Sequence, residues 1–111
     1  MIELIILNHL KNTLTVPVAL ERPDPLPTRF VLMEKTGSGR SNHLKSSTFA
    51  FQSYAESLHE TVTLNEQVKA AVDSLIELDA IGSVRLNSDY NFTDTTTKRY
   101  RYQAVYDIAH Y

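Results

Sequence analysis

A helical segment over residues 57–78 constrains the fold of this chain more than any other feature. Mostly apolar residues at helical spacing form one stripe, charged residues lie opposite, and no glycine or proline interrupts the segment. The stripe consists of Leu58, Val62, Asn65, Val68, Val72, Leu75 and Ile76. At ~1.5 Å per residue, roughly 22 residues span about 33 Å, the width of a small domain. We therefore predict that this helix covers a sheet.

Capping signals predict where this helix begins and ends. Two overlapping capping boxes, Ser53-x-x-Glu56 and Ser57-x-x-Glu60, lie within one turn of its start. Gly82 lies just past its end, where glycine is common.

The residues before the long helix predict a short helix and an edge strand. Residues 2–14 have apolar side chains at spacings of three and four, which is typical of an amphipathic helix. Residues 15–21 alternate, but Pro17 restricts them to an edge strand or the start of a strand. Residues 22–27 contain three prolines and predict a stiff, extended connection.

A hairpin is predicted next. Residues 29–35 are apolar and β-prone, which favours a central strand buried on both faces over most of its length. Residues 36–42, TGSGRSN, predict a mobile loop. Residues 45–54 alternate, with Phe49 and Phe51 on one face.

Two more alternating segments follow the long helix and predict a second hairpin, joined by residues 94–97. The apolar sets should face the helix: Val84, Leu86, Ser88, Tyr90 and Phe92 in one strand, and Tyr100, Tyr102, Ala104, Tyr106 and Ile108 in the other. The intervening residues, including Arg85, Asp89, Arg99, Arg101 and Asp107, should face outward. The order of elements predicts one α+β domain, residues 1–111: a single, mostly antiparallel sheet of about five strands with a short N-terminal helix and the long helix on one face.

Composition excludes several classes of protein. The chain has 111 residues, no cysteine and a net charge of −2. Disulfides, thiolate zinc sites and cysteine nucleophiles are therefore excluded, and a surface wholly adapted to DNA phosphates is not expected. The apolar run at Leu4 to Leu7 is far shorter than the roughly 20 residues that span a bilayer. We expect a soluble protein made in a cytoplasm.

No catalytic or cofactor motif is present. The histidines at positions 9, 43, 59 and 110 lack metal-ligand spacing, and no serine lies in a G-x-S-x-G elbow. Gly37-Ser38-Gly39-Arg40 lacks the Gly-Lys-Ser/Thr of a phosphate loop and precedes a strand. We expect no enzyme activity, no catalytic residues, no cofactor and no metal.

The segment Lys98-Arg99-Tyr100-Arg101-Tyr102 alternates cations with aromatic rings. Such a pattern can bind nucleic acid, because rings stack on bases and guanidinium groups contact phosphates. Alternation in a strand would instead separate the two sets, leaving Arg99 and Arg101, with Arg85 across the hairpin, on a solvated or protein-binding face.

Residues 84–108, VRLNSDYNFTDTTTKRYRYQAVYDI, resemble the end of small tail-terminator, or tail-completion, proteins of long-tailed phages and prophages of Gram-positive bacteria. The segments FVLMEKTG at 30–37, NHLK at 42–45 and FQSYAESL at 51–58 are similar too. The resemblance covers nearly the whole chain.

The resemblance implies a non-enzymatic structural protein of the virion tail, assembled in the host bacterial cytoplasm. Members form a ring, expected to be a hexamer, on the last ring of the tail tube. There the ring ends tail polymerisation and offers a docking surface to the head connector. The implied partners are other copies of the chain, the tail tube protein and the head connector or head-completion protein, with transient passage of DNA through the ring lumen and no membrane contact.

The family has no motif of functional side chains to transfer to this sequence, so the assembly contacts are inferred from surface charge and predicted loops. The candidate contacts are Arg40, Asn42, Arg85, Asp89, Asp94, Lys98, Arg99 and Arg101. Two alternatives stay open: another head–tail joining ring protein, and a small nucleic-acid-binding module that uses Arg85, Arg99 and Arg101.

Overall fold

The computed structural model describes residues 1–41, 44–97 and 99–111, in which two α-helices pack on one face of a five-stranded sheet. The elements, in chain order, are α1 (Ile2–Thr13), β1 (Val18–Ala19), β2 (Phe30–Ser41), β3 (Leu44–Ala55), α2 (Leu58–Asp73), a 3₁₀ turn (Ser74–Glu77), β4 (Ile81–Asn91) and β5 (Tyr100–His110). The predicted α+β class is confirmed.

The sheet has the strand order β1-β2-β3-β5-β4. The short edge strand β1 runs parallel to β2, and every other neighbouring pair is antiparallel. Two hairpins, β2–β3 and β4–β5, therefore meet in the middle of the sheet, where β3 pairs with β5 along its whole length. This pairing brings the C-terminal strand next to the strand that precedes the long helix.

The core lies between the helices and the inner face of the sheet. Its apolar side chains come from both helices and from the three central strands: Ile6, Leu10, Val31, Met33, Phe49, Phe51, Leu64, Val68, Val72, Ala104, Tyr106 and Ile108. Full burial of side chains such as Phe51 contributes ~1.5–3 kcal/mol each. The Tyr106 hydroxyl reaches α2 and donates a hydrogen bond to Asp73 Oδ1 at 3.1 Å.

The long helix begins as predicted, but its buried stripe differs at both ends. Ser57 is the N-cap, and its side chain accepts a hydrogen bond from the Glu60 amide. The capping box predicted at Ser53 is wrong, because Ser53 belongs to β3.

Two residues of the predicted buried stripe are exposed: Leu58 is 43% exposed and Ile76 is 52% exposed. The helix instead buries Thr61, Leu64 and Ala71 beside the predicted Asn65, Val68 and Val72. After Asp73 the chain tightens to a 3₁₀ turn, in which the predicted Leu75 is buried.

The predicted mobile loop at residues 36–42 is wrong, because β2 continues to Ser41. Gly37 pairs with Thr48 and Gly39 with Ser46, after a one-residue irregularity between Lys35 and Gly37. A Cβ on Gly39 would lie 3.1 Å from Ser46 Oγ, so glycine permits this close pairing. The hairpin itself is confirmed, because β2 pairs with β3 up to Ser41 and Leu44, and residues 42 and 43 lie outside the described residues.

A bulge in β4 changes which side chains face the helices. Pairing with β5 shifts by one residue between Leu86 and Ser88. Because side chains alternate along a strand, one extra residue exchanges the two faces beyond it. Asp89 now pairs with Ala104 on the helix side, and Tyr90 pairs with Gln103 on the opposite side. The predictions that Asp89 faces outward and that Tyr90 and Phe92 face the long helix are therefore wrong.

Candidate functional site

The sheet face opposite α1 and α2, which we call the open face, carries no helix in the described part of the chain. Its central side chains come from four strands and are mostly polar: Leu32, Gln52, Tyr54, Tyr90, Arg101, Gln103 and Val105. A sheet face without a helix layer either meets water or binds a partner. The open face is therefore a candidate binding surface, and the arrangement of its polar groups determines what it could bind.

A chain of hydrogen bonds joins three strands across the open face. Gln52 Nε2 donates to Gln103 Oε1 at 2.9 Å, and Gln103 Nε2 donates to the Tyr90 hydroxyl at 2.5 Å. Tyr54 donates to Gln52 Oε1 at 3.1 Å. The two glutamines are only 8% and 9% exposed. Such a satisfied network holds its members in one arrangement. Sequence patterning missed these residues, although two glutamines in alternating strands are an unusual choice for buried positions.

Arg101 is held in place on the open face by contacts on several sides. Its Nη1 donates to the Tyr54 hydroxyl at 2.9 Å, and its Nε donates to the Phe92 carbonyl at 2.9 Å. The guanidinium carbon lies 4.2 Å from the centroid of the Phe92 ring, a cation–π distance. Phe92 in turn contacts Tyr90 edge to face, with centroids 5.7 Å apart. The side chain is thus fixed before any partner arrives.

A small cavity next to Arg101, which we call the arginine pocket, has a volume of about 120 Å³. Its lining consists of Arg22, Tyr54, Asp94, Thr97, Arg99 and Arg101. Arg22 comes from the proline-rich segment, and Arg99 and Arg101 come from the end of the β4–β5 hairpin. None of the ion pairs among the described residues involves these three arginines. The pocket therefore concentrates positive charge in a chain whose net charge is −2.

Asp94 is the carboxylate in the lining of the arginine pocket, and it accepts hydrogen bonds from the hairpin turn. Its Oδ1 accepts hydrogen bonds from the amides of Thr96 and Thr97 at 2.9 and 3.4 Å. These hydrogen bonds, the one from the Thr96 amide above all, and then the charge of Arg101, hold the pKa of Asp94 below its ordinary value. Asp94 is therefore ionised at neutral pH and already has donors of its own.

The other candidate residues do not gather at this pocket. Arg85 lies on the open face opposite Asp107, which follows Arg101 by six positions in β5, about 20 Å at ~3.3 Å per residue. The structure thus separates Arg85 from Arg99 and Arg101, and Arg22 joins those two instead. Arg40 lies at the far end of the β2–β3 hairpin, opposite Lys45. Asn42 and Lys98 lie outside the described residues.

Asp89 is bound to the long helix. Its Oδ1 accepts a hydrogen bond from Asn65 Nδ2 at 2.8 Å, and its Oδ2 contacts Lys69 Nζ at 2.6 Å. Both partners belong to α2. Asp89 therefore joins β4 to the long helix, which is a structural task that its predicted place on the outer face did not suggest.

Two serine–histidine pairs are present, but neither has the geometry of a hydrolase. Ser47 Oγ lies 3.0 Å from His110 Nε2, and Ser74 Oγ lies 2.7 Å from His9 Nε2. Ser74 also donates to the Ala71 carbonyl at 2.7 Å, so its proton is engaged elsewhere. In the described ranges no carboxylate hydrogen-bonds to the second ring nitrogen of either histidine. The first pair joins β3 to β5, and the second joins α1 to the 3₁₀ turn, so both are structural hydrogen bonds between elements.

Two further properties concern the requirements of a metal site and of a membrane-spanning helix. No group of three or more histidine, aspartate or glutamate side chains within residues 1–41, 44–97 and 99–111 is placed to hold a metal ion. Neither of the helices in these ranges has the length and apolar character needed to cross a membrane.

No protein-family model matches the chain, and no curated protein matches it.

Proposed function

We propose that this chain is a structural subunit of a long-tailed phage or prophage that forms a ring on the end of the tail tube. The ring ends tail polymerisation and presents a docking surface to the head connector. The resemblance of residues 30–108 to tail-terminator proteins supports this proposal. Its working location is the virion tail, after assembly in the host bacterial cytoplasm.

The observation that carries the proposal is the pair of free strand edges at opposite sides of the sheet. Among the described residues, β4 pairs on one side only, with β5. At the other side β1 covers β2 only at Val31 and Leu32, which leaves the outer edge from Met33 to Ser41 without a strand. Free edges offer backbone groups to another chain. A closed ring needs two different complementary surfaces on each subunit, and two such edges meet this need.

The form of the edges suits a specific contact better than open-ended aggregation. Irregular pairing occurs between Lys35 and Gly37 in β2, and on both sides of Ser83–Leu86 in β4. Bulges interrupt flat pairing and so limit contact to short stretches. Leu86 projects from one of these stretches and is 44% exposed. Pairing of β4 with β2 of the next copy is our expectation for the subunit contact.

Surface charge also favours contacts between copies. Glu66, Asp73 and Glu77 are exposed on α2 and its 3₁₀ turn, whereas Arg22 and Arg99 are exposed at the arginine pocket. Patches of opposite sign can steer copies into one register. A net charge of −2 leaves little overall repulsion between them.

Deletion of the gene from its phage or prophage tests the proposal. Electron microscopy should show tails of uncontrolled length without heads, and the wild-type gene supplied in trans should restore virions. Tails of normal length beside unjoined, filled heads would instead assign the chain to another head–tail joining ring. Normal virions would disprove both roles.

A matched pair of variants tests the edge contact. Leu86→Lys places a charge at the β4 edge, whereas Leu58→Lys changes a residue of almost equal exposure, 43%, at the start of α2. Complementation should fail with Leu86→Lys and succeed with Leu58→Lys, while both proteins keep the wild-type circular dichroism spectrum. Equal complementation by the two variants would remove the β4 edge from the assembly contact.

A further inference from the structure

We propose that the arginine pocket is a binding site for a phosphate group, either of free phosphate or of a nucleotide chain. Phosphate binding needs only a single copy of the chain, so it can be tested without assembly of the ring. The proposal rests on the charge of the pocket, on the fixed position of Arg101 and on the size of the pocket.

The charges in the pocket favour an oxyanion. Arg22, Arg99 and Arg101 bring three guanidinium groups, and the lining contains one carboxylate, that of Asp94. Three positive charges against one negative charge leave an excess of two, and Asp94 already accepts hydrogen bonds from the turn amides. Guanidinium groups match the oxygens of phosphate in geometry and bind it with charge-assisted hydrogen bonds. One carboxylate cannot neutralise three guanidinium groups, whereas a tetrahedral dianion can accept hydrogen bonds from all three.

The Arg101 side chain and the backbone that carries the other two arginines are held in position in advance. Arg101 is fixed between the Tyr54 hydroxyl and the Phe92 ring. The Arg99 backbone forms a β-bridge with Asp94, which fixes the end of the hairpin. Proline follows Arg22 directly and restricts the segment that carries it. Donors that are already ordered lose less conformational entropy when a ligand binds.

The size of the pocket limits what can enter. Its volume of about 120 Å³ is well below the ~300–1,000 Å³ of sites that enclose drug-sized ligands. A phosphate group fits, whereas a sugar and base would have to remain outside. Nearby Tyr90 and Phe92 are 40% and 42% exposed, which leaves room for the rest of a nucleotide chain on the open face.

The test is a titration of the full-length protein with sodium phosphate, followed by ¹H–¹⁵N NMR at constant ionic strength set with sodium chloride. We expect saturable shifts at Thr97, Arg99 and Arg101. Arg22→Gln and Arg99→Gln should each weaken phosphate binding by about tenfold, the effect of losing one charge-assisted hydrogen bond. Arg85→Gln is the matched control on the same sheet face, and it should leave the affinity unchanged. Thermal unfolding checks that each variant is folded.

Two further ligands separate the sources of the phosphate. A single-stranded ten-residue oligothymidylate that binds far more tightly than phosphate, and loses this affinity in Arg22→Gln and Arg99→Gln, would identify a nucleic-acid backbone. Equal or weaker binding of the oligonucleotide would identify free phosphate. Acetate that binds as well as phosphate would overturn the proposal in favour of a protein carboxylate. The absence of saturable shifts at tens of millimolar phosphate would overturn it outright.

Discussion

The carboxylate of Asp89, on the outermost strand, accepts a hydrogen bond of 2.8 Å from the amide of Asn65, which is only 1% exposed on α2. A charged residue of an edge strand thus accepts a hydrogen bond from the side-chain nitrogen of a residue inside the core. The contact depends on the bulge between Leu86 and Ser88, because without that extra residue Asp89 would point to the other face.

Asp89→Ala should destabilise the protein by about 1.5–3 kcal/mol, because it removes a charged acceptor and leaves the buried Asn65 amide without its partner. Urea unfolding followed by circular dichroism measures the change. Asp79→Ala, at an exposed aspartate, is the control and should stay within about 0.5 kcal/mol of wild type. Equal stability of the two variants would contradict a structural role for Asp89.

The two glutamines of the open face should behave as a coupled pair. Gln52→Ala leaves Gln103 Oε1 without its donor and the Tyr54 hydroxyl without its acceptor, and it should cost about 1–3 kcal/mol. The double variant with Gln103→Ala should lose less than the sum of the single changes, with a coupling of about 0.5–3 kcal/mol. A double-mutant cycle by chemical denaturation measures this coupling. Additive effects would show that the network does not act as a unit.

The two serines predicted to cap the long helix should respond in opposite ways. Ser57→Ala removes the N-cap hydrogen bond to the Glu60 amide and should cost ~1 kcal/mol. Ser53 is fully buried, and its Oγ has no hydrogen-bond partner among the described residues. Ser53→Ala should therefore be neutral or stabilising, because it removes an unsatisfied polar group. Thermal unfolding of both variants decides this, and a larger loss in Ser53→Ala than in Ser57→Ala would contradict it.

Stability should fall in acid, in part through Asp107. Hydrogen bonds from Asn87, at 3.0 Å, and from Thr48, at 2.8 Å, lower the pKa of this carboxyl, with the charge of Arg85 adding to the effect. The unfolded chain then binds a proton more readily than the folded one, so the stabilisation is present above the unfolded pKa, about 3.9, and is lost as the pH falls through the folded value.

Urea unfolding of Asp107→Asn tests this dependence on pH. The variant should be less stable than wild type at pH 6 and should lose less stability between pH 6 and pH 3. Asp79→Asn is the matched control and should follow the wild-type curve. An Asp107→Asn curve parallel to that of wild type would show that Asp107 does not contribute to the loss in acid.

Local patterns in the sequence were sufficient to predict the α+β class, the N-terminal helix, the long helix from its N-cap at Ser57, and both hairpins. Helical spacing and strand alternation are properties of neighbouring residues, so they can be read without knowledge of the fold. They failed at residues 36–41, where glycine and serine in the sequence indicated a loop. Pairing with β3 kept this segment extended, and a propensity is readily overridden by such tertiary contacts.

The candidate site depended far more on the tertiary structure. The sequence by itself was sufficient to place three charged residues at the end of the last hairpin, namely Asp94, Arg99 and Arg101. It also predicted that Arg99 is exposed. Only the fold brought Arg22 to them, moved Arg85 about 20 Å along the sheet and turned Asp89 towards α2. The physical reason is that a strand's register and a pocket's lining are set by pairing between distant segments. One bulged residue in β4 was enough to exchange the two faces beyond it, and no local pattern marks that residue.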